Sequence, residues 1–313
     1  MYRLWTAWKN DKMIRAALNK KDVFGVAGAA VFCAAAFILR LYQLFFITDE
    51  NSGLLTEQYA TSYAFYALLF AAGVILLILA RLHKFTDDGL ALGDFFCRSR
   101  LLAAAAYLLA IALFLRFIGL SVMLFDRVGS PVSTDPGFVY PNTAVWMFSL
   151  LSSVYYALAG AVFSGRNYDF QRFGLLNLAP VLMSISAMFA ELIYSVSAKF
   201  DIGAVCRMLC TVLCAAFTIS FAASADRFTS KRRRRMYFIT LCCSLFCGPC
   251  VLSSIIYAIY SRSFALTDLH MLSDLCFGLL AGMMAAHLLK TGKVSPQAAQ
   301  PPVTAKRTRR RRR

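Results

Sequence analysis

Residues 101–124 read LLAAAAYLLAIALFLRFIGLSVML, a run in which Arg116 is the single charged side chain. A helix needs about 20 apolar residues to cross the hydrocarbon core of a bilayer. Hydrocarbon cannot satisfy free backbone N–H and C=O groups, so a spanning segment of this kind must be helical. The run also lacks the alternating polar residues of a barrel strand. It therefore predicts a transmembrane helix.

Further runs of the same kind lie on both sides of this one. The eight predicted spans are 23–47, 61–80, 101–124, 143–164, 175–198, 203–225, 236–260 and 269–289. Charged residues make up 16% of the 313 residues, against roughly a quarter in soluble domains. We therefore predict an all-α fold, a polytopic integral membrane protein with eight transmembrane helices in a bundle over 23–289. An interfacial segment, 1–22, precedes the bundle, and a disordered basic tail, 290–313, follows it.

The basic residues divide unevenly between alternate loops. Lys and Arg number 27 in one set of alternate segments and 3 in the other. The rich set comprises 1–22, 81–100, 165–174, 226–235 and 290–313. Cationic loops stay in the cytoplasm, so we expect a cell-membrane protein with both termini cytoplasmic.

The net charge of +17 follows the same pattern and does not form a separate basic domain. This argues against nucleic acid as a partner. The partners predicted for the chain are the lipid bilayer and, at the basic loops and tail, anionic lipid headgroups. The run 231–235 (Lys-Arg-Arg-Arg-Arg) is interpreted as a solvated segment that fixes the topology.

Five ionisable side chains lie within the predicted spans: Arg40, Arg116, Glu191, Arg207 and Asp274. All five lie about 6–12 Å below the predicted outer edge of the membrane. An unpaired charge in hydrocarbon is costly, so these residues should pair or line a water-filled cavity. The short connection between spans five and six favours a Glu191–Arg207 pair. Asp274 then remains for Arg40 or Arg116, and one arginine is left over.

The arginine left over is a candidate binding residue for a small anionic solute that enters from outside. Gln43, Tyr42, Tyr194 and His270 lie at similar depth and would flank it. A carrier, or transporter, of such a solute, or a simple binder of it, is the function that this layer favours. The alternative is a non-catalytic structural or sensory membrane subunit whose intramembrane charges are all paired.

A second alternative rests on Cys247-Gly248-Pro249-Cys250, which resembles the thioredoxin active-site motif. Residues 249–252 also resemble a stretch found in membrane thiol–disulfide exchangers of the DsbD type. The resemblance implies a membrane thiol–disulfide oxidoreductase with Cys247 and Cys250 as the redox pair. Thioredoxin carries its motif at an exposed helix start, whereas this one falls inside an apolar run. The other interpretation is therefore that the cysteines pack as small apolar residues and that Gly248-Pro249 bends the span.

The sequence predicts neither a metal site nor a cofactor. The histidines His83, His270 and His287 are far apart, and the cysteines lack a zinc-ligand spacing. No nucleotide-binding or nucleophile-elbow motif is present. His270 and Asp274, four residues apart, share a helical face suited to acid–base chemistry, but no nucleophile accompanies them. Enzymatic activity stays open, and the sequence points away from it.

Overall fold

The computed structural model describes residues 20–47, 59–83, 85, 92–96, 99–126, 136–165, 174–197, 202–225, 228–265 and 268–291. These residues form helices and their connections, with no strand among them. The predicted N-terminal segment 1–22 and the tail 290–313 fall almost wholly outside this described part. Both assignments therefore stay predictions.

The helices follow the predicted spans closely. In chain order they are α1 (Lys20–Tyr42), α2 (Tyr59–Leu82), the short α3 (Leu92–Phe96), α4 (Arg100–Asp126), α5 (Pro136–Phe163), α6 (Leu178–Ser197), α7 (Ile202–Ala223), α8 (Ser230–Cys247), α9 (Ser253–Tyr260) and α10 (Leu269–Thr291). A π-helical turn, Gln43–Ile47, extends α1. A second one, Gly248–Leu252, joins α8 to α9. This π-helical turn contains Pro249, which has no N–H to donate to the regular α-helical hydrogen-bond pattern.

The membrane class is confirmed, but the count of eight is one too high when spans are judged by length and hydropathy. Seven helices in the described part are long and apolar enough to cross a bilayer. The exception is α6, whose apolar stretch runs over Leu178–Tyr194. At 1.5 Å per residue it covers about 26 Å, slightly less than a hydrocarbon core of about 30 Å. The predicted span 175–198 was too long because residues 174–177 form a turn before the helix begins.

Five helices, α4, α5, α6, α7 and α10, pack side by side in a closed ring. Helix α8 packs on α7 and α10, and α1 and α2 pack in turn on α8. The contact between α8 and α10 depends on two glycines of α10. A Cβ atom at Gly278 would lie 2.8 Å from Sγ of Cys247, and one at Gly282 would lie 2.6 Å from Oγ of Ser244. Small residues at these positions therefore let the two helices approach closely.

A layer of aromatic rings fills the interior of the ring of helices. Tyr155 and Tyr156 of α5 pack there with Phe217 and Phe221 of α7 and Phe277 of α10, and all five are at most 2% exposed. The ring centroids of Tyr156 and Phe277 are 5.6 Å apart, edge to face. Such pairs add to the stabilisation that burial alone provides. The layer closes the interior of the bundle.

Arg233 contradicts the interpretation of 231–235 as a uniformly solvated run. Its side chain is fully buried, and its Nε donates to the Phe228 carbonyl at 3.0 Å. The guanidinium carbon lies 4.6 Å from the ring centroid of Phe95 and 5.2 Å from that of Phe228. Cation–π contacts of this kind offset part of the desolvation cost. The neighbouring cations are exposed, as predicted: Lys231, Arg232, Arg234 and Arg235.

Candidate functional site

A cavity of about 400 Å³ lies at one end of the five-helix ring, and each of the five helices contributes to its lining. We call this the cavity end; it carries the C-terminal ends of α4 and α6 and the N-terminal ends of α5, α7 and α10. Tyr194 lines the cavity and is 53% exposed, so the cavity reaches the surface. The ionisable and amide side chains of the lining are Arg116, Asn142, Glu191, Arg207, Asp268 and His270.

Arg116 lies at the floor of the cavity, and Asp274 lies beside it, just beneath the lining. Nη1 of Arg116 lies 3.8 Å from Oδ1 of Asp274 and donates to Oγ of Ser273 at 3.2 Å. The Ser273 hydroxyl donates in turn to the His270 carbonyl at 2.7 Å. Nε of Arg116 is buried and has no hydrogen-bond partner in the described part of the chain. The guanidinium therefore has unused donor capacity at the bottom of the cavity.

Glu191 and Arg207 form a second ion pair, nearer the surface. Nε of Arg207 donates to Oε2 of Glu191 at 3.2 Å, and the two side chains are 30% and 20% exposed. The guanidinium also lies over the ring of Tyr194, 5.3 Å from its centroid. Residues 198–201 are all that separate α6 from α7, so these two helix ends must be neighbours. The pair is the one that the sequence analysis favoured.

Polar groups continue a short way below the floor. A void of about 10 Å³ lies beneath Arg116 and Asp274, lined also by Ser184 and Thr211, and it has room for about one water molecule. Further down, the hydroxyls of Ser184 and Thr218 lie 3.4 Å apart. Phe277 of the aromatic layer forms part of the wall of this void. The cavity therefore opens at the cavity end and is closed by aromatic rings at its base.

Arg40 and Gln43 lie elsewhere. Neither lines the cavity; Nη1 of Arg40 donates to Oε1 of Gln43 at 3.4 Å, and both side chains are buried. Tyr42 contacts Phe46, with ring centroids 5.4 Å apart, and not the cavity. The structure thus brings Arg116, Glu191, Arg207, Asp274 and His270 together, and Arg40 is the arginine that has no carboxylate beside it among the described residues.

The cysteines form a buried cluster between α7 and α8. Cys206, Cys210 and Cys214 lie on one face of α7, and Cys250 interacts with the first two through hydrogen bonds. Cys214 interacts in the same way with Cys243, and the Cys247 thiol lies 3.3 Å from the Asp274 carbonyl, to which it donates. None of the described cysteines forms a disulfide bond. The described residues contain no group of His, Cys, Asp or Glu suited to a metal ion.

The sequence analysis did not identify three polar residues of the site, of which Asn142 and Asp268 line the cavity and Ser273 contacts Arg116. Ser273 carries no charge, and its role follows only from the position of Arg116 on the facing helix. Asp268 was assigned to an outer loop; its Oδ2 accepts from the Ala265 N–H at 2.9 Å, which holds the start of α10. Asn142 lies one residue before a predicted span. Asp268 and Asn142 are polar residues at the boundaries of predicted spans, next to the layer of ionisable side chains. This position is the sequence signal that could have identified them.

The cavity combines two guanidinium groups with carboxylates at two depths, and these polar groups lie among apolar side chains. Such a site can bind a small charged molecule by exchange of ion-pair partners. Comparisons of the chain with family models, with characterised proteins and with solved structures give no match.

Proposed function

We propose that the protein binds a small anionic solute in this cavity and carries it across the membrane. The observation behind this proposal is Arg116, which lines an open cavity while its buried Nε has no hydrogen-bond partner in the described part. A buried donor without a partner costs free energy, and a small turn of the guanidinium toward a solute oxygen would relieve that cost. A guanidinium also matches the geometry of a carboxylate or phosphate better than any other side chain does.

The cavity favours a carrier over a structural or sensory subunit. A subunit whose charges serve only to hold helices together needs no open space beside them. This cavity of about 400 Å³ falls within the size range of small-molecule sites. A carrier also needs a barrier on the far side of its site, and the aromatic layer below Arg116 and Asp274 supplies one.

We further propose that the cavity end faces the outside of the cell membrane and that both termini are cytoplasmic. The segments 81–100, 165–174 and 226–235, which are rich in Lys and Arg, connect the helices at the opposite end. In this orientation α6 also passes from one side of the membrane to the other, although its apolar stretch of 17 residues is shorter than the other seven spans and at the lower limit for one. Exposed cations such as Lys231 and Arg234 would then contact anionic lipid headgroups.

A thermal-shift titration of the purified protein with small carboxylates and phosphates tests the binding proposal. We expect at least one anion to raise the unfolding midpoint by roughly 3–8 °C at saturation. Arg116→Lys should abolish this shift, because lysine cannot offer the planar fork of donors. Arg40→Lys is the matched control, since Arg40 is buried at a similar depth outside the cavity, and this variant should keep the full shift.

Two outcomes would contradict the proposal. If no anion of the panel shifts the midpoint, the cavity does not bind anions. If an anion stabilises the parent and Arg116→Lys equally, the anion binds elsewhere. Uptake of the active anion into proteoliposomes then separates a carrier from a binder.

A thiol–disulfide oxidoreductase is the second candidate, favoured by the contacts of Cys250 with Cys206 and Cys210. Oxidation of Cys250 together with Cys206 or Cys210 forms one S–S bond and passes two electrons and two protons to an acceptor. In a membrane this acceptor would be a quinone. Incubation with a short-chain quinone, followed by alkylation and mass spectrometry, tests this candidate. Equal alkylation of all thiols with and without the quinone would exclude it.

A further inference from the structure

The charges around the cavity indicate what charge the solute has. In the described part, the guanidinium groups of Arg116 and Arg207 line the cavity with the carboxylates of Glu191 and Asp268 and the imidazole of His270. A third carboxylate, that of Asp274, lies beneath the lining beside Arg116. The four loops predicted at this end hold seven acidic and three basic residues. A solute with only negative charge would therefore enter a site that offers no net positive charge to compensate it.

The two ion pairs determine which charges a solute needs if its binding is to leave no charge unpaired. A solute carboxylate that binds Arg116 or Arg207 competes with the carboxylate already paired with that arginine. The displaced Glu191 or Asp274 would then lose its partner within a partly buried site, which is unfavourable. A protonated amine on the same solute removes this penalty, because it gives the displaced carboxylate a new cation. The exchange then leaves every charge paired.

The apolar part of the cavity lining indicates the chemistry of the uncharged part of the solute. Leu120 and Met123 of α4, Val145 of α5 and Met271 of α10 contribute apolar surface to the cavity wall. Methionine adapts to ligands of different shape. A solute with an apolar body next to its charged groups would bury that body against this wall and gain from its desolvation.

We propose that the solute is a zwitterion with an apolar body, of the kind that an amino acid with a hydrocarbon side chain represents. This inference rests on the proposed function, keeps its anionic group and adds a cationic one: the carboxylate of the solute binds the arginines, and its ammonium group binds the carboxylates of Glu191 or Asp268. The net charge of the cavity does not change when the solute binds.

Matched sets of three ligands test the inference on the full chain. Each set contains an amino acid, the acid that lacks its amine, and the amine that lacks its carboxylate. Suitable sets are built on leucine (with 4-methylpentanoate and 3-methylbutylamine), alanine (with propionate and ethylamine) and phenylalanine (with 3-phenylpropionate and 2-phenylethylamine). We expect the amino acid of at least one set to bind at least about tenfold more tightly than both of its analogues, as measured by calorimetric titration.

Substitution of one carboxylate should change this preference in a specific way. In Glu191→Gln the ammonium loses a partner and the cavity becomes less negative, so the preference for the amino acid over the acid should fall several-fold. Asp268→Asn provides a second variant if Glu191→Gln does not fold. Arg262→Gln is the control, because it changes the charge of the same end outside the cavity lining; it should leave the preference unchanged.

The possible results separate the two proposals. If an acid without its amine binds as tightly as its amino acid, the zwitterion inference is wrong and the anion site stands. If an amine alone binds as tightly as its amino acid, both are wrong, because no anionic group is needed. If none of the nine compounds binds, the zwitterion inference is wrong, and the wider anion panel decides the proposed function.

Discussion

Arg116 of α4 and Asp274 of α10 face each other at the base of the cavity, with Nη1 3.8 Å from Oδ1 and both side chains about nine-tenths buried. Removal of one partner leaves a buried charge uncompensated. We therefore expect Asp274→Ala to lower the free energy of unfolding by about 3–5 kcal/mol. The double variant Arg116→Met with Asp274→Leu should unfold close to the parent protein, since no charge is left buried. Denaturant unfolding in detergent measures both; a double variant as unstable as Asp274→Ala would contradict this account.

The pair of Glu191 and Arg207 is more exposed, so its effect should be smaller. We expect Glu191→Arg to destabilise the bundle by about 1–2 kcal/mol, because two guanidinium groups then face each other across α6 and α7. The charge-exchanged double variant, Glu191→Arg with Arg207→Glu, should recover at least half of that loss. Thermal unfolding of the three variants forms a double-mutant cycle. Absence of any recovery would mean that the two side chains do not depend on each other for stability.

Gly278 and Gly28 give a matched test of the contact between α8 and α10. A Cβ atom at Gly278 would lie 2.7 Å from Cβ of Cys247, whereas a Cβ atom at Gly28 meets nothing within 4 Å. Gly278→Ala should therefore cost about 1–3 kcal/mol through overpacking. Gly28→Ala should be neutral or slightly stabilising, because alanine is the better helix former. If both variants unfold at the same midpoint, the close approach of α8 and α10 is not tightly constrained.

The sequence could predict the helices and most of the charge layer because both depend on local features. Run length sets the spans, and counting residues along each span puts Arg116, Glu191 and Asp274 at similar depth. Depth along a helix does not say which face points inward or which helices are neighbours. Arg40 has a suitable depth, but α1 packs on the π-turn after α8 and not within the five-helix ring.

Run length also gave a wrong start for α6, because Leu175 and Leu176 extend the apolar run but belong to a turn that ends at Asn177. The composition of that stretch could not show where the helix begins. The burial of Arg233 could not be predicted either, because its aromatic neighbour Phe95 belongs to a short helix that the apolar runs of the sequence do not predict.

Arg233 and Arg234 are adjacent in the sequence, but substitution by alanine should destabilise the protein only at Arg233. Arg233 is fully buried, donates to the Phe228 carbonyl and lies over the Phe95 ring, whereas Arg234 is exposed. Arg233→Ala removes a hydrogen bond from a charged donor and two cation–π contacts, so we expect a loss of about 2–4 kcal/mol. Arg234→Ala should stay within about 0.5 kcal/mol of the parent, as surface substitutions usually do. Unfolding midpoints of the two variants in the same detergent measure this difference, and an equal effect of both would show that the Arg233 side chain is solvated like its neighbours.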